Sequence, residues 1–141
     1  MTAAGGNPVI IANKLGAFIS DDDTIIMANE SFLTTASVLY DAVYIPGGIN
    51  SVASLAVDAD AVHFINEAYR HCKAIAADTA AIQVLEATYF GKKLPPDNAD
   101  DTVMAEGIII GDDAAKLANQ FVKAIAQHRF WNREVSRKVP A

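Results

Sequence analysis

The chain has 141 residues but a single cysteine, Cys72, so no disulfide can form within it and an intracellular setting is permitted. No apolar run approaches the ~18 residues that cross a bilayer, which argues against a membrane-spanning role. The opening residues, Met1-Thr2-Ala3-Ala4-Gly5-Gly6, lack the basic stretch and apolar core of a secretory signal. Basic residues are scarce: 11 Lys and Arg stand against 17 Asp and Glu, and the net charge of −6 argues against non-specific nucleic-acid binding. Internal repeats, low-complexity stretches and a linker long enough to divide the chain are all missing, so residues 1–141 read as one domain.

What is plentiful is apolar surface. The composition is 52% hydrophobic and 20% charged, with a mean hydropathy of +0.20. That is apolar for a soluble domain, and it points to buried interfaces or a missing covering element. The charge is uneven as well. Residues 128–141 hold Arg129, Arg133, Arg137 and Lys138 against Glu134 alone. Such a basic tail, residues 129–141, suits contact with an acidic surface on another copy or another domain; the alternative is a solvated tail.

Strand and helix patterns alternate, as in an α/β domain with a largely parallel sheet. Pro8-Val9-Ile10-Ile11-Ala12 reads as a strand. Residues 17–28 read as a hairpin around Asp21-Asp22-Asp23. Val43-Tyr44-Ile45 reads as a strand stopped by Pro46-Gly47-Gly48. A helix follows, with Val62, Ile65, Tyr69 and Cys72 on its apolar face and Phe64 and Ala68 widening it. Asp58 or Asp60 caps its start. Ala74-Ile75-Ala76-Ala77 is a buried strand running into a helix from Ala80 to Phe90, ended by Gly91. A polar loop spans Lys92 to Asp101. Ile108-Ile109-Ile110 is the last strand, and Asp112 and Asp113 open a final helix that buries Ala114, Leu117, Phe121 and Ile125.

Three segments carry a family resemblance: Tyr40-Asp41-Ala42-Val43-Tyr44-Ile45-Pro46-Gly47-Gly48, the helix end Tyr69-Arg70-His71-Cys72-Lys73, and Ala74-Ile75-Ala76-Ala77 entering a turn. Together they resemble the PfpI-like branch of the class-I glutamine amidotransferase-like superfamily. More narrowly, Asn13-Lys14-Leu15-Gly16, Ser31-Phe32-Leu33-Thr34-Thr35, His128-Arg129-Phe130-Trp131 and Val139-Pro140-Ala141 are similar to the C-terminal flavodoxin-like domain of large-subunit, fungal-type haem catalases. The resemblance implies a flavodoxin-like three-layer sandwich with a mostly parallel sheet and a small hairpin. It also implies a strand-helix unit of about 25 residues before the point where this chain begins, so the domain reads as shortened at its N-terminal end.

Family enzymes keep a nucleophile on a tight strand-to-helix turn, with a base nearby and main-chain donors for the oxyanion. Matching Lys73-Ala74-Ile75-Ala76-Ala77 to that strand puts Asp78-Thr79-Ala80 at the turn, with Thr79 at the cysteine position and Ala80 at the following histidine. The elbow therefore reads as vacated, and Asp78 or Thr79 is expected to cap the helix that follows. Of the machinery, Gly47 and Gly48 remain. Cys72 reads as a buried small hydrophobe on its helix rather than a displaced nucleophile. His63, Glu67 and His71 share a helical stripe, but on the polar side, where such residues are ordinary and a converging metal site is not expected.

The resemblance implies a parent enzyme that disproportionates hydrogen peroxide at a haem held by another domain, with no cofactor in this one. Three functions compete. The first is an accessory module with chaperone-like binding of unfolded client proteins. The second is a structural module that stabilises the catalase tetramer, a homo-oligomer, through the catalase core domain and neighbouring subunits. In that case Phe130 and Trp131, with Arg129, Arg133 and Arg137, are the candidate interface residues, unless the aromatics pack on the domain's own sheet. The third is a PfpI-like glyoxalase, deglycase or peptidase, which the vacated elbow disfavours.

Overall fold

The computed structural model describes residues 2–20, 22–94 and 103–135. Its centre is a four-stranded sheet built from β5 (Ala42–Ile45), β6 (Ala74–Asp78), β7 (Val103–Ala105) and β8 (Ile108–Gly111), in the order β5-β6-β8-β7. The first three in that order run parallel, with Val43 opposite Ile75 and Ala76 opposite Ile109. The short strand β7 is antiparallel to β8. Its two-residue turn, Glu106-Gly107, has positive φ at both positions (51° and 83°), as the tight hairpin turns require.

Side chains alternate between two cores, as the period of a strand demands. Ile45, Ile75, Ala77, Ile108 and Ile110 face a layer of α1 (Ile49–Val57), α2 (Ala59–Arg70) and α3 (Ile82–Glu86). Ala74, Ala76 and Ile109 face α4 (Ala114–Ala126) through Leu117, Phe121 and Ala124. The result is the expected three-layer flavodoxin-like sandwich. Asp58 caps α2, accepting from the N–H groups of Asp60 and Ala61, and Asp113 caps α4 from Ala115 and Lys116. Those bonds, with that of Lys116 foremost, hold the Asp113 carboxyl below the usual carboxylate range. A short helix, α5 (Asn132–Val135), closes the described chain.

A smaller lobe precedes the sheet. The hairpin β2 (Gly16–Ile19) with β3 (Ile25–Ala28) forms where expected, while β1 shrinks to Ile11–Ala12 and pairs with β4 (Glu30–Ser31) outside the main sheet. Among the described residues, Ala28 is the only fully buried apolar side chain before Ile45. The lobe instead leans on α2, where Phe32 and Tyr40 meet the Phe64 ring at 5.6 and 6.1 Å.

The helix expected over Ala80–Phe90 is shorter. Thr79–Ala81 is a tight 3-10 turn, α3 ends at Glu86, and Gly91 opens a further 3-10 turn. A side chain at Gly91 would strike the main chain of Glu86, with Cα at 2.8 Å, so the glycine serves a close approach rather than a helix cap. The helix α1 and the strand β7 were not legible in the pattern. On α4, Ala114 is exposed and Ala124 takes its place in the core. Of the loop expected from Lys92 to Asp101, residues 95–101 lie outside the described residues.

Candidate functional site

In a parallel α/β sheet, ligands and catalytic groups collect where strands end and helices begin. Here that place is the end of β6 against the turn after β5. Asp78 is the last residue of β6, and it does not cap the helix that follows, nor does Thr79. Its carboxylate points across to β5 instead. Oδ2 accepts from the main-chain N–H of Gly47 at 2.6 Å, and Oδ1 accepts from the Tyr44 hydroxyl at 2.9 Å. Burial first, then the hydrogen bond to and charge of the Asp78 carboxylate, pushes the Tyr44 phenol up to about 12.

Gly47 is fixed by this arrangement. A Cβ there would lie 3.1 Å from that of Ala80 and 3.2 Å from Asp78 Oδ2. Thr79 and Ala80 are exposed at the turn. Chemically, the N–H that an elbow enzyme would offer to a developing oxyanion already carries a permanent carboxylate. Sequence reasoning placed the three elbow residues together, but missed that Asp78 and Tyr44 bond to each other. The usable signal was Tyr44 itself, a polar tip on the strand face opposite Val43 and Ile45.

Cys72 is fully buried, as expected, but lies beyond the end of α2 rather than on its face. It sits in the left-handed region (φ 59°) at the helix exit. Its N–H reaches Tyr69 O at 3.0 Å and that of Lys73 reaches Ala68 O at 3.1 Å, the paired bonds that close a helix end. His71 Nε2 stands 3.6 Å from Glu67, and His63 is exposed. Among the described residues, no three His, Cys, Asp or Glu side chains converge as metal ligands would.

The strand starts are held by two buried cations. Lys73 donates Nζ to the carbonyls of Ser37 (2.9 Å), Val38 (2.7 Å) and Tyr40, spending all three ammonium protons on the loop that ends the lobe. Burial first, then Arg129, pulls its pKa down to about 8, against the pull of Asp41. Arg133 was expected at an interface, but it turns inward and is only 3% exposed. It donates to Glu106 O (2.8 Å), Tyr69 O (3.3 Å) and Lys73 O (2.7 Å), and its guanidinium lies 4.3 Å over the Tyr69 ring. Phe130 is half-buried against the α4 core, its N–H bonded to Cys72 O at 2.8 Å. Arg129 is half-buried and donates to the His128 carbonyl at 2.8 Å; Trp131 is exposed, and Arg137 lies outside the described residues.

The fold has counterparts among solved structures. A ThiJ/PfpI domain protein from Brachyspira murdochii matches with a TM-score of 0.78 at 15% identity, covering 89% of this chain and 83% of that one. The chain thus shares that protein's fold, a flavodoxin-like α/β sandwich. More narrowly, residues 1–135 match the family described as the C-terminal domain found in long catalases, and the chain belongs to that family. Catalase HPII of Mycobacterium avium is 38% identical over 121 residues, and Catalase-2 of Bacillus subtilis is 34% identical over 129. Those alignments cover 82% and 89% of this chain, which spans 17% of either relative's length.

Proposed function

We propose that the chain is a non-catalytic accessory module of a long catalase, and that it binds other proteins with chaperone-like holding of unfolded clients. The parent activity, disproportionation of hydrogen peroxide at haem, belongs to the rest of such a polypeptide. A haem does not fit the apolar hollow of about 190 Å³ beside Tyr44, whose hydroxyl is already given to Asp78. The Asp78 carboxylate on the Gly47 N–H supports the non-catalytic reading, as does Thr79 where a thiol would be needed.

One observation carries the binding role. The register of the hairpin puts Ala17, Ile19, Ile25 and Met27 on a single face, with Ile19 76% and Ile25 69% exposed. An apolar face of this kind, beside an acidic turn, suits a surface that must stay soluble yet hold apolar segments. The test is light scattering from a heat-denatured client enzyme. Near-stoichiometric protein should suppress aggregation, while an inert acidic protein of similar size should not. The double variant Ile19→Ser, Ile25→Ser should lose that effect while remaining folded. Equal suppression by this variant, or none by the parent chain, would remove the holding role.

A second reading, bridging of catalase subunits, is favoured by Trp131. It is 56% exposed although Phe130 and Arg133 on either side are turned into the domain. Changing Trp131 to Ser in a full-length catalase should then loosen its assembly without unfolding the domain.

A further inference from the structure

The helix α1 carries aliphatic side chains on two sides. Inward, Val52 joins the core, with Leu55 and Ala56 packed against it. Outward, Ile49 and Val57 are 87% and 84% exposed, with Ala53 exposed between them. These three stand four residues apart and so share one stripe. No residue of Ile49–Val57 is charged, which is true of none of α2 to α5. The Ser54 hydroxyl is already spent within the helix, donating to Asn50 O at 2.9 Å. An uncharged surface helix with aliphatic residues on two sides lacks the charged face that water-exposed helices normally carry.

A strand-helix unit preceding this chain would not cover the stripe. Such a unit extends the sheet beyond β5, away from β6, and a right-handed crossover running that way lays its helix on the α4 side. The layer of α1, α2 and α3 lies on the other face.

The two ends of α1 differ in charge. Gly48 offers no side chain to cap its start, and its first turn holds no acidic residue. The main-chain N–H groups there carry the positive end of the helix dipole. Beyond the other end stand Asp58 and Asp60. Asp58 is committed to capping α2, whereas Asp60 is exposed in the first turn of that helix.

We infer that α1 is the seat of a two-fold contact with a second copy of this chain, the two helices antiparallel and crossing at Ala53. The rise of a helix sets Ile49 and Val57 at equal distances, roughly 6 Å, on either side of Ala53. The two-fold axis therefore brings Ile49 against the partner's Val57 at both ends of the contact. At the centre Ala53 meets the partner's Ala53, and two methyl groups let the helices approach closely. The same symmetry carries Asp60 toward the start of the partner's α1. Each copy thus supplies the negative charge that the other's helix start lacks, whereas a parallel pairing would set the two positive ends together. The contact uses neither the Asp78 elbow nor the hairpin face, so it stands or falls apart from the holding role.

Sedimentation of the full 141-residue chain, from low micromolar to a few hundred micromolar, tests the contact. A reversible dimer is expected. Ala53→Glu or Ala53→Lys alone sets like charges against each other on the two-fold axis and should weaken association at least ~tenfold. An equimolar mixture of the two variants should restore a dimer holding one chain of each. Asp60→Asn should weaken the dimer by roughly two- to fivefold and flatten its dependence on salt. Circular dichroism confirms that each variant is folded. A chain that stays monomeric throughout, a dimer indifferent to both folded Ala53 variants, or a mixture that fails to restore it overturns the inference. An Asp60→Asn dimer as tight and as salt-dependent as the parent overturns the antiparallel pairing.

Discussion

Replacing Gly107 by alanine should destabilise the domain by about 2–5 kcal/mol. Two costs add. The residue has φ 83°, where an L side chain is strained by roughly 1–2 kcal/mol. Its Cβ would also fall 2.6 Å from Cγ of Phe130, so the ring must leave the α4 core, an overpacking cost of about 1–3 kcal/mol. For a chain of this length the sum lowers the melting temperature by roughly 3 °C per kcal/mol. The assay is urea unfolding of a double-mutant cycle with Phe130→Ala. Removing the ring costs stability of its own but frees the space, so the two changes should couple by about 1–2 kcal/mol and the pair should cost less than the sum. Strict additivity would refute the reasoning, because the ring would then not be what the new methyl meets.

Two further outcomes are expected. Lys73 titrates at about 8 in the folded chain against its usual 10.5. Between those values the unfolded state holds the proton that the native state has released, so this residue's contribution to stability rises with pH there and is flat below. Unfolding measured against Lys73→Met across pH 7 to 10.5 should show that rise, and a parallel pair of curves would contradict it. Arg133→Ala strips donors from the Glu106, Tyr69 and Lys73 carbonyls and exposes the Tyr69 ring, so chemical denaturation should register a loss of about 3 kcal/mol or more. A loss under ~0.5 kcal/mol would place Arg133 among ordinary surface charges.

The layers of this fold were legible because its central strands are near-continuous apolar runs and its long helices have strong 3.6-residue periodicity. Ile108–Ile110, Ala74–Ala77 and the stripe through Phe64, Ile65 and Tyr69 allow little else. Ile49–Val57 escaped because its Val52 and Leu55 are diluted by Asn50, Ser51 and Ser54, so only Val52 is fully buried. The elbow was legible as a place but not as a set of bonds. Asp78 reads locally as a helix cap, and only the pairing of β5 with β6 brings Gly47 and Tyr44 within its reach. Arg133 illustrates the same limit. A cation near a chain end suggests solvent, and the three carbonyls that receive it lie 27 to 64 positions away in sequence.

The lobe before β5 has a further consequence for how the molecule comes apart. Among the described residues, its side-chain anchors to the sandwich include one ammonium group on three carbonyls and two ring contacts with Phe64 of α2. With so little interior of its own, it can detach while both cores of the sandwich stay shut. A protease should therefore nick the native chain first between residues 13 and 39, leaving a resistant fragment that keeps the sheet. During synthesis the order is reversed: the lobe emerges early but has nothing to rest on until Phe64 and Lys73 follow.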